Sequence, residues 1–214
     1  MKKGWLAALL LVIATIVFVI TTTVVTNSTS DNPSLVVMPE NKKLPSFSFE
    51  MANNKTFTNE NLVDHWTLFF IGYTFCPDVC PTTLADLDRI YPELSKPPFD
   101  NIQIVFVSVD PNRDKANNLA EYVNYFNPKF LGTTSTHKQL FPFAQDLGLV
   151  YSIVNEGDVG DAYYMVDHSA SLVLINTQGL HHATFKPVRD DQGVATVDMD
   201  LMTQDIHNLI QQNQ

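Results

Sequence analysis

Two hydrophobic periods run through the chain. Residues 67–73 and 102–109 are nearly continuous apolar runs, the pattern of strands buried on both faces of a sheet. Each is followed by apolar positions three and four apart. Leu84, Leu87, Ile90, Tyr91 and Leu94 share one face of a helix predicted to begin at Pro81. Leu119, Tyr122, Val123 and Phe126 share one face of a second helix, with Asp114 as its expected cap. Strict alternation in Phe47–Met51, followed by the turn residues Ala52–Lys55, predicts a hairpin. Further on, the pattern predicts a short strand near 129–131 and a helix over 136–147, shortened or kinked at Pro142. Strands follow at 149–154, 170–175 and 180–185, the last two joined by the turn 176–179. A helix from about Val197 to Ile210 closes the pattern, and 155–161 is an acidic loop or hairpin tip. Strands alternating with helices, then a hairpin and a helix, predict an α/β sandwich with a mixed central sheet.

The N-terminal pattern is different. Residues 5–25 carry no charge. About 21 residues at about 1.5 Å rise span roughly 31 Å, enough to cross a bilayer. Lys2 and Lys3 put residues 1–4 on the cytoplasmic side, so 5–25 is expected to be a single-pass anchor with the rest of the chain outside the cytoplasm. A cleaved signal peptide is the competing reading, but the run is long for one and residues 21–27 hold no clean small-x-small site. Residues 26–40 are polar and turn-rich at their start and read as a linker. Residues 41–214 suffice for one domain.

Charge narrows the partners. The net charge is −10, and more negative once Lys2 and Lys3 are set aside, which argues against nucleic acid and against docking on anionic lipid. With only 17% charged residues and abundant aromatics, a sizeable core is available.

The chemistry concentrates at the end of the first apolar run. Cys76 and Cys80 are the only two cysteines, four positions apart in Tyr73-Thr74-Phe75-Cys76-Pro77-Asp78-Val79-Cys80-Pro81. Proline after Cys80 disfavours α conformation there and suits a first helical position, so Cys80 is expected at or near the cap of a helix starting at Pro81. Unpaired N–H groups and the positive end of the helix dipole favour thiolate, the form that attacks disulfides and binds metals. Two inert core cysteines, or a structural disulfide, are the alternatives. A bridge across so short a loop constrains little chain. Cys-x-x-x-Cys is wider than the usual redox spacing and can close to a disulfide or span a metal ion. Thiolates select Cu(I), Zn or iron–sulfur chemistry, and two cysteines are too few for a four-cysteine cluster.

A third ligand must come from elsewhere, and six histidines are available. His65 precedes a strand at the end away from the cysteines, His207 lies in the last helix, His137 starts a helix, and His181 and His182 are neighbours on a strand and point apart. His168 lies just before a predicted core strand. A dithiol loop after the first core strand is the thioredoxin-like order, which puts the site at the carboxyl ends of the strands. In that fold the segment before the later strand faces the dithiol and usually carries a cis-proline; here a histidine stands instead.

Three motifs together carry a resemblance: residues 73–81, Ser108-Val109-Asp110-Pro111-Asn112-Arg113-Asp114, and Val166-Asp167-His168-Ser169-Ala170. Over about residues 40–212, with the N-terminal anchor, the chain resembles the Sco/SenC family. That resemblance implies a membrane-tethered, thioredoxin-like protein holding one copper, Cu(I) or Cu(II), through Cys76, Cys80 and His168. It implies a metallochaperone that supports assembly of the dinuclear copper centre of cytochrome c oxidase. The implied partners are the oxidase subunit that bears this centre and an upstream copper donor or thiol reductant. The implied location is the cytoplasmic membrane, with the domain on the periplasmic side. Asp78 and Asp167 are read as a solvated loop carboxylate and a weak orienting group, Asp110 as a turn residue, and Arg113 and Asp114 as a loop ion pair and a helix cap. An extracytoplasmic thiol–disulfide reductase or redox sensor acting through the Cys76/Cys80 dithiol is the alternative function, and a zinc site the alternative metal.

Overall fold

The computed structural model describes residues 32–97, 101–154, 164–189 and 195–212. The expected anchor at 5–25 and the acidic loop at 155–161 lie outside these residues. Among the described residues no helix is long and apolar enough to cross a membrane.

An eight-stranded mixed sheet organises the chain, in the order β1-β10-β9-β4-β5-β6-β2-β3. Its strands are β1 (Leu35–Lys43), β2 (Ser48–Met51), β3 (Lys55–Thr58), β4 (Trp66–Gly72), β5 (Ile102–Ser108), β6 (Leu131–Thr134), β9 (Leu172–Ile175) and β10 (Leu180–Phe185). β4, β5 and β6 run parallel, and the other pairings are antiparallel. Every residue of β4 is buried, because each face of the sheet is covered. Trp66, Leu68 and Phe70 point to the face packed by helices α1 (Val79–Leu94), α2 (Ala116–Phe126) and α4 (Met199–Gln211). Phe69 and Ile71 point to the other face, under helix α3 (His137–Asp146), the β2–β3 hairpin and a separate ribbon of β7 (Tyr151–Val154) and β8 (Met165–His168). A second small ribbon pairs β11 (Val188–Arg189) with β12 (Ala195–Thr196).

The periodic segments form the expected elements, with several departures. Helix α1 begins at Val79 with Asp78 at its cap, so Cys80 sits inside the first turn rather than capping a helix from Pro81. Cys80 continues the apolar stripe of Leu84, Leu87 and Leu94, and burial of that stripe outweighs the local preference of a residue before proline. The linker expected to reach residue 40 ends sooner, since residues 35–43 form β1, paired with β10. The strand opens with the apolar residues Leu35–Met38, and β10 supplies the hydrogen-bond partners that make the segment a strand. Asp114 does not cap α2, whose cap is Lys115 without a side-chain bond. α3 continues through Pro142, held down by buried Leu140, Phe143 and Ala144.

Candidate metal centre

The site forms where β4 ends. Gly72 closes the strand, the chain turns through Tyr73–Phe75 with the Cys76 N–H donating to the Tyr73 carbonyl, and α1 begins. Cys80 is fully buried, and Cys76 is half-buried against both halves of the core. Both are free thiols, so the structure contains no disulfide between them. The Cys80 N–H points at Cys76 Sγ, 3.5 Å away.

His168 arrives from the opposite face of the sheet. It ends β8, a strand where the sequence suggested a loop, and pairs with Tyr151 of β7. Its ring lies edge-on between Phe70 and Tyr73, with centroids 6.1 and 6.0 Å away. Nδ1 lies 3.2 Å from the Ser169 carbonyl, which accepts only if Nδ1 carries the proton. That tautomer leaves the Nε2 lone pair facing Cys80 Sγ at 3.3 Å. The ligand atoms of Cys76, Cys80 and His168 all lie within 4.8 Å of one another. Two soft sulfurs and an imidazole nitrogen at this spacing fit a single copper ion.

The two thiols are unlike. Hydrogen bonding from Cys80 is the main cause that pulls Cys76 down to about 3, against its desolvation, and His168 adds to it. Burial pushes the Cys80 thiol well above the ordinary range, and the adjacent Cys76 sulfur pushes the same way. Both effects favour the proton on the buried sulfur and the negative charge on the outer one.

Further residues, most of them with roles other than those expected from the sequence, complete the site. A Cβ on residue 72 would lie 2.5 Å from Cys80 Sγ and 2.8 Å from Phe106 Cε2, so only glycine leaves the recess in which this sulfur sits. Asp114 turns inward. Its carboxylate accepts from the Thr74 N–H at 2.9 Å, from the Thr74 hydroxyl, and from Ser108 Oγ at 2.6 Å, and so pins the turn before Cys76. Burial raises its pKa, while the Ser108 and Thr74 bonds oppose the rise. Arg113 pairs with Asp110, whose carboxylate also accepts from the Tyr164 hydroxyl; Asp110 is more than a turn residue. Asp78 is exposed and makes no cap bond, and Asp167 is exposed on the side of β8 away from Val166. The remaining histidines stay outside the cluster: His65, His137, His181, His182 and His207 bond or pack elsewhere.

Comparison with known proteins places the chain. The family model described as SCO1/SenC matches residues 38–203. The chain belongs to the SCO1/SenC family. It is 32% identical over 153 residues to a putative copper-binding protein of Stutzerimonas stutzeri, covering 72% of this chain and 74% of that one. It is 38% identical over 127 residues to a SCO2-like protein of Rickettsia felis, covering 59% of this chain and 61% of that protein. Among solved structures, Arabidopsis thaliana ScoI with copper bound matches at 29% identity and TM-score 0.66, over 79% of this chain and 98% of that one. Yeast Sco1 with copper bound matches at 25% identity and TM-score 0.65, over 79% and 89%. This SCO1/SenC chain therefore has the thioredoxin-like fold with a mixed sheet. The dithiol follows the first parallel strand of that fold, and His168 ends the ribbon that leads into β9.

Proposed function

We propose that this protein is a copper metallochaperone that binds one copper ion through Cys76, Cys80 and His168 and supports assembly of the dinuclear copper centre of cytochrome c oxidase. The observation that carries the reading is the convergence of two sulfurs and one imidazole nitrogen within 4.8 Å. The ion is cargo. Cys76 is the accessible sulfur, at which a partner's ligand enters and leaves. Cys80 and His168 hold the ion from below and from the side. The uncharged run at 5–25 tethers the domain that begins with β1 to the cytoplasmic membrane on its periplasmic side, close to a membrane-bound oxidase. The partners are the oxidase subunit bearing the copper centre and an upstream copper donor or thiol reductant.

The test is titration of the reduced full chain with Cu(I) and, separately, Cu(II). One copper per chain is expected, with sulfur-to-copper charge-transfer bands that disappear in Cys76→Ala and Cys80→Ala and change in His168→Ala. Binding indifferent to all three substitutions would overturn the reading.

The divided protonation of the dithiol favours a second activity at the same site. Cys76, with its pKa lowered to about 3, is the attacking sulfur, and the protonated Cys80 is the resolving one. Attack of the Cys76 thiolate on a partner disulfide forms a mixed disulfide and releases one partner thiolate. Cys80 then gives up its proton and displaces the second partner sulfur, leaving a Cys76–Cys80 disulfide and a reduced partner. Turnover with a model disulfide that survives His168→Ala would show reduction to be independent of the metal site.

A further inference from the structure

We propose that Arg113 is a positioning residue that fastens the ribbon carrying His168 to the loop carrying Cys76. The consequence for copper rests on the function proposed above; the geometry does not. Arg113 follows β5 by five residues and reaches two other segments, the turn Tyr73–Phe75 and Tyr164. Its guanidinium carbon lies 3.7 Å from the centre of the Tyr164 ring, 4.9 Å from that of Phe75 and 5.5 Å from that of Tyr73. Nη1 donates to the Tyr164 carbonyl at 2.9 Å, and Nε pairs with Asp110. The other oxygen of Asp110 accepts from the Tyr164 hydroxyl, so Tyr164 is gripped at its backbone, its ring and its tip.

Each of these contacts leads to a ligand. Tyr164 immediately precedes β8, the strand that ends in His168. Phe75 immediately precedes Cys76. Tyr73 lies between the two sides: its ring meets the His168 ring edge-on and its hydroxyl donates to Met165 Sδ at 3.7 Å. β7 and β8 form a ribbon outside the main sheet, so no hydrogen bonds between sheet strands fix its distance from the dithiol. Arg113 and Asp110 supply that fixing. Asp110 is 1% exposed and the Arg113 side chain 12%, so the pair is shielded from competing water. Phe75 is 58% exposed but lies over a buried cation, which holds the residue beside Cys76 in place. Lysine cannot reproduce this, since it lacks the planar fork that bonds two acceptors while stacking on a ring.

The test uses the full chain with ¹³C-labelled histidine. Arg113→Lys keeps the charge. The pair Asp110→Asn with Arg113→Met removes both charges together and avoids leaving a buried carboxylate alone, which protects the fold. In the copper-free protein, the His168 ring signals, shifted by Phe70 and Tyr73, should move toward exposed-histidine values in both variants, while those of His181 and His182 stay in place. Copper affinity should fall by about tenfold or more, the scale for losing the support of a metal ligand. The same double change made in His168→Ala should cost less than about twofold, because a residue that acts through His168 has nothing left to position. Unmoved His168 signals, or an equal loss of affinity with and without His168, would overturn the proposal. Failure of the wild-type chain to bind copper would instead overturn the proposed function and leave the ring-signal experiment to decide on Arg113.

Discussion

The Sγ of Cys80 and the Nε2 of His168 lie 3.3 Å apart, although 88 residues separate them in the chain. One is delivered by the first turn of a helix on one face of the sheet, the other by the last residue of a ribbon on the opposite face. They meet just past the end of β4, where the strand no longer separates the faces. A metal or a thiol partner therefore meets a site whose pieces come from independently packed layers.

His168→Ala should separate metal binding from thiol chemistry. Copper affinity is expected to fall by more than the roughly 10–100-fold that loss of a ligand's supporting partner costs. The Cys76–Cys80 disulfide should still form, since neither sulfur needs the imidazole to reach the other. Affinity by competition with a chelator, and disulfide formation by mass, measure the two sides; parallel loss of both would contradict this.

Gly72→Ala should displace the buried sulfur. The added methyl group would meet Cys80 Sγ at 2.5 Å and Phe106 Cε2 at 2.8 Å, so one or both must move. Overpacking of this kind costs about 1–3 kcal/mol of stability. The copper spectrum should change more than that loss suggests, because the displaced atom is one of the proposed ligands. Comparing the melting temperature with the charge-transfer bands decides between a local and a general effect.

Alkylation should distinguish the thiols by pH. With Cys76 lowered to about 3, its reaction with iodoacetamide in the reduced, copper-free chain should vary little between pH 5 and 8. An ordinary thiol slows about tenfold per unit below its pKa of about 8.5. Cys80, buried and protonated, should react only after unfolding. Because Cys80 is the main cause of the Cys76 shift, Cys80→Ala should restore much of the ordinary pH dependence. Peptide mapping of the alkylated sites gives the readout.

Asp114→Ala should loosen the dithiol turn. It strands the Thr74 N–H, the Thr74 hydroxyl and the Ser108 hydroxyl, and buried donors left unpaired cost about 1–3 kcal/mol each, so a loss of about 3 kcal/mol or more is expected. Asp114→Asn keeps an acceptor and should lose less. Urea unfolding of both variants checks the order.

Stability should fall in mild acid partly through His181. This residue is buried on β10, its Nε2 faces Thr184 Oγ1 at 2.9 Å, and burial lowers its pKa from 6.5 to about 4. Its cross-strand neighbour Lys42 pushes in the same direction. The neutral ring is thus favoured in the folded state, and the unfolded chain takes up the proton first. The contribution is complete above about pH 7 and is lost as pH falls from 6.5 to about 4, amounting to a few kcal/mol. His181→Gln should reduce the stability difference between pH 7.5 and pH 5 measured by urea unfolding; an unchanged difference would assign the acid sensitivity elsewhere.

Much of this molecule is legible residue by residue. The unbroken apolar run of β4, the stripe Leu84–Leu87–Ile90–Leu94, the β9–β10 hairpin and the dithiol between strand and helix all follow from local periodicity, which backbone geometry converts directly into facing. The same stripe, extended back by one turn, reaches Cys80, which the proline after it had instead pointed toward the helix cap.

By itself, the sequence determined most of the elements and the dithiol, and its motifs singled out His168. Tertiary structure alone decided how that histidine reaches the sulfurs, and what holds it. His168 faces Cys80 because β7 and β8 fold as a ribbon beside the end of β4. Asp114 serves Thr74 instead of its own helix, Arg113 joins three segments, and residues 35–43 become a strand because β10 leaves an edge for them. These outcomes depend on partners tens of residues away, and a local pattern contains no term for a partner it does not touch. The Cys80–His168 contact is satisfied only when both layers have packed on the sheet.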